Sequence, residues 1–200
     1  MADIVANVFA GLWKPYVGPV GEALPGLNDL APPAIKVTPA GNWVAVGFTI
    51  ENFSLEVTTE SQTVWANEQT VPIDEVLLKE MGVLKFNLLE NNLTAWNSAL
   101  ASISTLSTTA AGANQTAQDK LGVGGVTGGF TKKALIMLGA NQAAGSRLVH
   151  IYKAVTTGAT YASGKEVGSI AVNYKLVGDP SQTAGERLFK VWDITAVASS

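Results

Sequence analysis

The chain has 200 residues, of which 47% are aliphatic or aromatic and only 14% are charged, with one histidine and no cysteine. That length fits a single domain able to bury roughly 70% of its unfolded surface, and the absence of thiols excludes disulfides and thiolate metal centres. Globular chains usually carry about 25% charged residues, so part of this surface is expected to be covered by a partner.

The net charge of −3 is unevenly spread: residues 1–100 hold eleven acids against four lysines, and residues 101–200 hold five acids against nine bases. The halves either neutralise each other within one fold or present opposite surfaces, as head-to-tail stacking of copies would favour.

In chain order, residues 1–41 are rich in Gly and Pro and read as an N-terminal arm with one strand around Trp13–Val20. The start, MADIVANVFAGLW, lacks a basic leading region and an A-x-A-like cleavage site, so no signal peptide is expected. No apolar run approaches the roughly 18 residues of a membrane span. From Trp43, Val44, Val46, Phe48 and Ile50 alternate, then Phe53, Leu55 and Val57 alternate with the opposite parity, which predicts a hairpin turning at Glu51-Asn52. A polar loop containing Pro72 follows. Val83–Leu89 then reads as a half-buried strand, and Asn91 or Asn92 caps a short helix with Leu93, Trp96 and Leu100 on one stripe.

Residues 102–129 are dominated by Ser, Thr, Ala and Gly without a sustained period, which predicts a long mobile loop. Phe130–Leu138, Leu148–Val155, Val167–Val177 and Leu188–Ile194 return to strand character between Gly-containing turns. The sum is a mainly β fold: one domain over 1–200, a β-sandwich or barrel of about seven or eight strands flanked by one short α-helix.

Chemistry finds little purchase in these residues. The glycine run Gly122-Val123-Gly124-Gly125-Val126-Thr127-Gly128-Gly129 lacks the lysine a phosphate loop requires after its last glycine, since Phe130 stands there, and Thr127 occupies the third glycine of the dinucleotide fingerprint. His150 is a lone histidine alternating with Leu148 and Tyr152 on one strand face, the pattern of a core or interface residue. Asp74 and Glu75 read as solvated loop acids rather than a glycosidase pair. The five tryptophans, Trp13, Trp43, Trp65, Trp96 and Trp192, fall in or beside predicted elements and read as core or subunit-interface anchors. The expectation is therefore no catalytic residue, no metal and no cofactor.

Four stretches taken in order, WKPYVGPVGEALPGLND, GNWVAVGFTIENFSLEV, TVPIDEVLLKEMGVLKFNLLENNLTAWNSAL and GDPSQTAGERLFKVWDITA, resemble the major tail tube proteins of long-tailed bacteriophages. The resemblance implies a virion protein held in the host cytoplasm before assembly, which forms six-fold rings stacked into a hollow tube. Its partners would be copies of itself and other tail proteins such as the tape measure and the terminator, with DNA passing through the lumen without specific binding. The arm and the 102–129 loop would tie rings together, making Gly112, Gly122, Gly124, Gly125, Gly128 and Gly129 candidate inter-ring positions. Residues Glu51–Glu90 hold eight acids against Lys79 and Lys85, and the resemblance puts the predicted hairpin near the inner barrel, making Glu51, Glu56 and Glu60 candidate lumen acids that repel phosphates over about one Debye length, roughly 8 Å. A β-sandwich binding module for carbohydrate or adhesion is the competing expectation, and it would be a monomer with a fixed aromatic platform.

Overall fold

The structure, a computed structural model, describes residues 13–26, 41–49, 53–65, 71–89, 92–100, 103–113, 116–125, 129–141, 145–162 and 169–194. Its strands are β1 (Trp13–Pro19), β2 (Val44–Ala45), β3 (Ser54–Val64), β4 (Asp74–Leu88), β5 (Ser104–Thr109), β6 (Gln118–Val123), β7 (Lys133–Asn141), β8 (Gly145–Ala162), β9 (Ser169–Leu176) and β10 (Phe189–Ile194). One helix, α1 (Leu93–Ala99), stands among the described residues. The fold is mainly β, as expected, and every strand pairing is antiparallel.

The main sheet runs β2-β1-β7-β8-β9-β4-β3, with β10 on β8. It also closes on itself. The segment after β2 stays bonded to β1, with the Val46 and Thr49 amides donating to Pro15 O and Trp13 O at 3.0 Å each, and Thr49 then bridges Leu88 of β4. Residues 44–49 thus join β1 to β4 and complete a closed cycle of six strands, which leaves no unpaired edge along that path.

β7 lies between β1 and β8, and its sequence shows how it is buried. ALIML is a continuous apolar run, the signature of a strand buried on both faces. Leu135 and Met137 face the main core with Trp13, Val17, Leu84, Phe86, Val149, Ile151, Val172 and Tyr174. Ala134, Ile136 and Leu138 face a second core with Tyr16, Trp43, Leu148 and Ile194.

Two glycines let aromatic rings lie flat on neighbouring strands. A Cβ on Gly139 would sit 2.8 Å from the Trp13 ring, and one on Gly18 would sit 2.8 Å from the Trp43 ring. Trp13 is buried and held edge-on by Phe53 at 4.7 Å, so it has no room to yield. Gly139→Ala is expected to cost about 1–3 kcal/mol in urea unfolding, the range for overpacking. Gly122→Ala, which meets only Thr105 O at 3.8 Å on an open hairpin, is the control and should stay near wild type.

The helix begins where its cap predicts: the Asn92 side chain accepts a 2.6 Å hydrogen bond from the Ala95 amide. Three expectations are corrected. The stretch 43–57 is not a hairpin, because β2 pairs with β1 while β3 pairs with β4. The proposed turn at Glu51-Asn52 lies outside the described residues, and the parity slip there marks a change of partner strand. The polar loop before Val83 is instead the long β3–β4 hairpin, whose exposed outer parts, Thr-rich in β3 and with an unbroken Val76-Leu77-Leu78 run in β4, lack the apolar alternation that marks burial. The stretch 102–129 contains a second hairpin, β5–β6, paired from Ser104↔Val123 to Thr109↔Gln118. Leu106↔Leu121 is its one leucine pair, too sparse a signal to read as a strand period.

Candidate assembly surface

The feature most unlike an ordinary domain surface is the outer part of the β3–β4 hairpin. β3 pairs with β4 from Ser54↔Lys85 to Val64↔Asp74, with a bulge after Glu60, yet β4 pairs with β9 only over Gly82–Leu88. Beyond Gly82 the two strands therefore leave the main sheet as a two-stranded ribbon, flanked near its base by Arg187 and Leu188 beside Leu77 and Glu80 and projecting beyond them. Val57, Val76, Leu77 and Leu78 are exposed along it, and Trp65, Val71 and Ile73 are 59%, 61% and 54% exposed at its tip. The ribbon closes with the Ile73 amide donating to Val64 O at 3.0 Å. Scattered single exposed apolar residues are ordinary, but a contiguous set on one projecting element marks a surface that a partner covers.

The ribbon is also acidic. Glu60, Asp74, Glu75 and Glu80 stand against Lys79 on its outer half. Glu75 accepts a hydrogen bond from the Ser61 hydroxyl across the two strands, and its own amide donates to Asp74 Oδ1 at 2.8 Å. Glu56 and Glu60 lie on the same face of β3, four residues apart. Glu56 is bridged to Lys85 at 3.2 Å with both side chains about half exposed, a contact worth little in water. Glu51 lies outside the described residues.

At the opposite end of the molecule, a cavity of about 570 Å³ opens between α1, β6 and the ends of β8 and β9. Its walls are apolar, formed chiefly by Trp96, Leu100, Leu121, Val123, Tyr161 and Ile170, with Asp119 and Lys120 on β6 also lining it. The Trp96 and Tyr161 rings lie 4.7 Å apart. Among the candidate glycines, Gly122 is in β6, Gly124 and Gly125 follow it with positive φ, and Gly129 also has positive φ. Gly112 lies beyond β5 at the other end of that hairpin, and Gly128 is outside the described residues. Positive φ at Gly124 and Gly125 is the left-handed conformation that L side chains adopt only with strain, so these glycines serve the turn leaving β6.

His150 is 6% exposed in the second core, with ring centroids of Tyr152, Trp43 and Trp192 at 4.6, 5.9 and 6.2 Å. Burial pushes its pKa down to about 4, so the imidazole is neutral at physiological pH, and its Nδ1 has no hydrogen-bond partner. Trp13 and Trp43 are core residues, Trp96 and Trp192 are partly buried, and Trp65 alone of the five is exposed. No cluster of three or more His, Cys, Asp or Glu suited to a metal ion occurs among the described residues. No described helix is long and apolar enough to cross a membrane.

Sequence reasoning placed Trp65 beside an element but missed the ribbon that carries it. The signal was present in the apolar residues Val64-Trp65 and Val71-Pro72-Ile73 flanking the short polar stretch ANEQT, the sequence pattern of a hairpin.

No protein-family model and no curated protein matches this chain. Among solved structures it is similar to a chain in the six-fold symmetrised cryo-EM structure of the anti-feeding prophage baseplate, at 8% identity and a TM-score of 0.43, over 97% of this chain and 99% of that one. Similarity at that level does not establish a common fold.

Proposed function

We propose that this chain is a non-enzymatic structural subunit that assembles with copies of itself into stacked rings, forming the tube of a phage-type tail through which DNA passes. The observation that carries the reading is the projecting β3–β4 ribbon, acidic along its length and apolar at its tip, in a chain with few charges elsewhere. A monomer would leave Trp65, Val71, Ile73, Leu77 and Leu78 in water. The resemblance of four sequence stretches to tail tube proteins supports the same reading and supplies the ring geometry. Within it, Glu56 and Glu60 remain the candidate lumen acids, and the inter-ring role of the β5–β6 hairpin remains an expectation. A carbohydrate-binding or adhesion module is less well supported, because the aromatic platform it needs is not formed by tryptophans that are mostly packed against the cores.

The purified chain is expected to form rings or tubes at high concentration, visible by negative-stain electron microscopy and as fast-sedimenting species in ultracentrifugation. A chain that sediments only as a monomer at all concentrations and salts refutes the reading.

A further inference from the structure

We propose that Trp65, at the outer end of the described β3–β4 ribbon, seats in the apolar cavity beside α1 and β6 of a second copy of this chain. The inference rests on the assembly reading and names the contact that would make it.

Knob and hole lie at opposite ends of one strand. β4 begins at Asp74 beside the tip and ends at Leu88, which pairs with Ile170 on the cavity wall. Fifteen residues of strand separate them, a span of about 46 Å at roughly 3.3 Å per residue. The tip therefore cannot reach the cavity of its own chain, and only a second molecule brings the two together. A contact between two different patches is heterologous, so each copy that receives a tip still offers its own. Repetition adds copies without limit unless a rotation closes them into a ring.

Three features match the two ends. The cavity, about 570 Å³ with apolar walls, falls in the range of roughly 300–1,000 Å³ that accommodates sizeable ligands, and it can take an indole with an aliphatic neighbour. Its mouth carries the aromatic edge of Tyr161 and the side chain of Val123, which are 48% and 56% exposed and stand ready to be covered. The charges also complement. Next to Trp65 the ribbon brings Asp74 and Glu75, while the receiving end offers Lys120 on the cavity wall and Lys133 beside Asn97 and Ser98 of α1, opposed by Asp119. Neither Lys120 nor Lys133 is in an ion pair among the described residues. Opposite charges at the rim would orient the approach, and burial of the tryptophan would supply the affinity.

The chain has no cysteine, so two introduced thiols report this contact alone. Val71→Cys, which keeps Trp65, and Val123→Cys proteins are prepared separately, mixed under assembling conditions and treated with a short thiol-reactive cross-linker. The proposal expects mixed dimers that neither variant forms alone, and a ladder of multimers from a chain carrying both changes. It also expects Trp65→Ser, at an exposed position that leaves the urea midpoint unchanged, to raise the concentration needed for assembly about tenfold or more. If assemblies form, Trp65→Ser assembles at wild-type concentrations and no Val71→Cys to Val123→Cys product appears, the tip-in-cavity contact is refuted while the assembly reading stands. If the wild-type chain forms no assembly at all, both fall.

Discussion

Tyr174→Ala lowers the stability of the folded chain by about 3–5 kcal/mol in urea unfolding, the range for deleting a fully buried aromatic side chain. Tyr174 is 1% exposed, and its ring stacks on Phe86 at 5.7 Å inside the closed cycle of strands. Its hydroxyl has a second task. The last carbonyls of a helix have no partner within the helix, and Ala99 O at the end of α1 accepts hydrogen bonds from Tyr174 Oη and from Thr156 Oγ1, the latter at 3.1 Å. The sheet thereby holds the helix by its C-terminal end. Tyr174→Phe keeps the ring and leaves Thr156 as donor, so it should cost only about 1 kcal/mol, a typical net hydrogen bond. A Phe variant as unstable as the Ala variant would contradict this division between packing and hydrogen bonding.

Acid should weaken the fold below about pH 6.5 through one buried imidazole. His150 is held neutral by burial with a pKa of about 4, against about 6.5 in an unfolded chain. Between those values the unfolded state binds the proton and the folded state does not. The associated stability is full above about pH 6.5, falls as pH drops, and is gone below about 4. The linkage amounts to about 2 kcal/mol by pH 5 and about 3 kcal/mol in total, at 1.36 kcal/mol per unit. Asp193, hydrogen-bonded to Arg147, and Glu22, hydrogen-bonded to Asn42, titrate below their ordinary values, so their losses fall at lower pH. Lys190 lies opposite His150 on β10, its ammonium bonded to Glu186 at 2.9 Å, and keeps its charge throughout. His150→Phe keeps an aromatic ring among Trp43, Tyr152 and Trp192 and should flatten stability between pH 7 and pH 5. An unchanged slope in that variant would place the acid sensitivity elsewhere.

Which parts of this fold could be read from sequence follows from burial. β7, buried on both faces, announces itself in ALIML, and α1 announces itself through Asn92 and the Leu93, Trp96, Leu100 stripe. β1 was legible from Trp13 to Pro19. The β3–β4 ribbon and the β5–β6 hairpin were not, because both stand mostly in water and are held by backbone pairing, which leaves no apolar period in Thr-, Ser- and Glu-rich strands. The cavity was invisible for another reason: its walls come from positions between Leu93 and Ile170 that only the folded topology brings together. The candidate acids were legible as charges, but what Glu56 and Glu60 face in a ring depends on neighbouring copies.

The pairing of β1 with β7 has a consequence during synthesis. Trp13 meets Gly139 across more than a hundred residues of intervening chain. At roughly 5–20 residues per second, the ribosome needs on the order of ten seconds after releasing the first strand to deliver its partner. Through that interval Trp13, Tyr16 and Val17 have only residues 44–49 to lie against, and the β7 side of β1 stays unpaired, so the cycle of strands cannot close from that side. The nascent chain is exposed to chaperones and to aggregation for a period fixed by its topology, so expression at lowered translation speed lengthens its vulnerable state rather than shortening it.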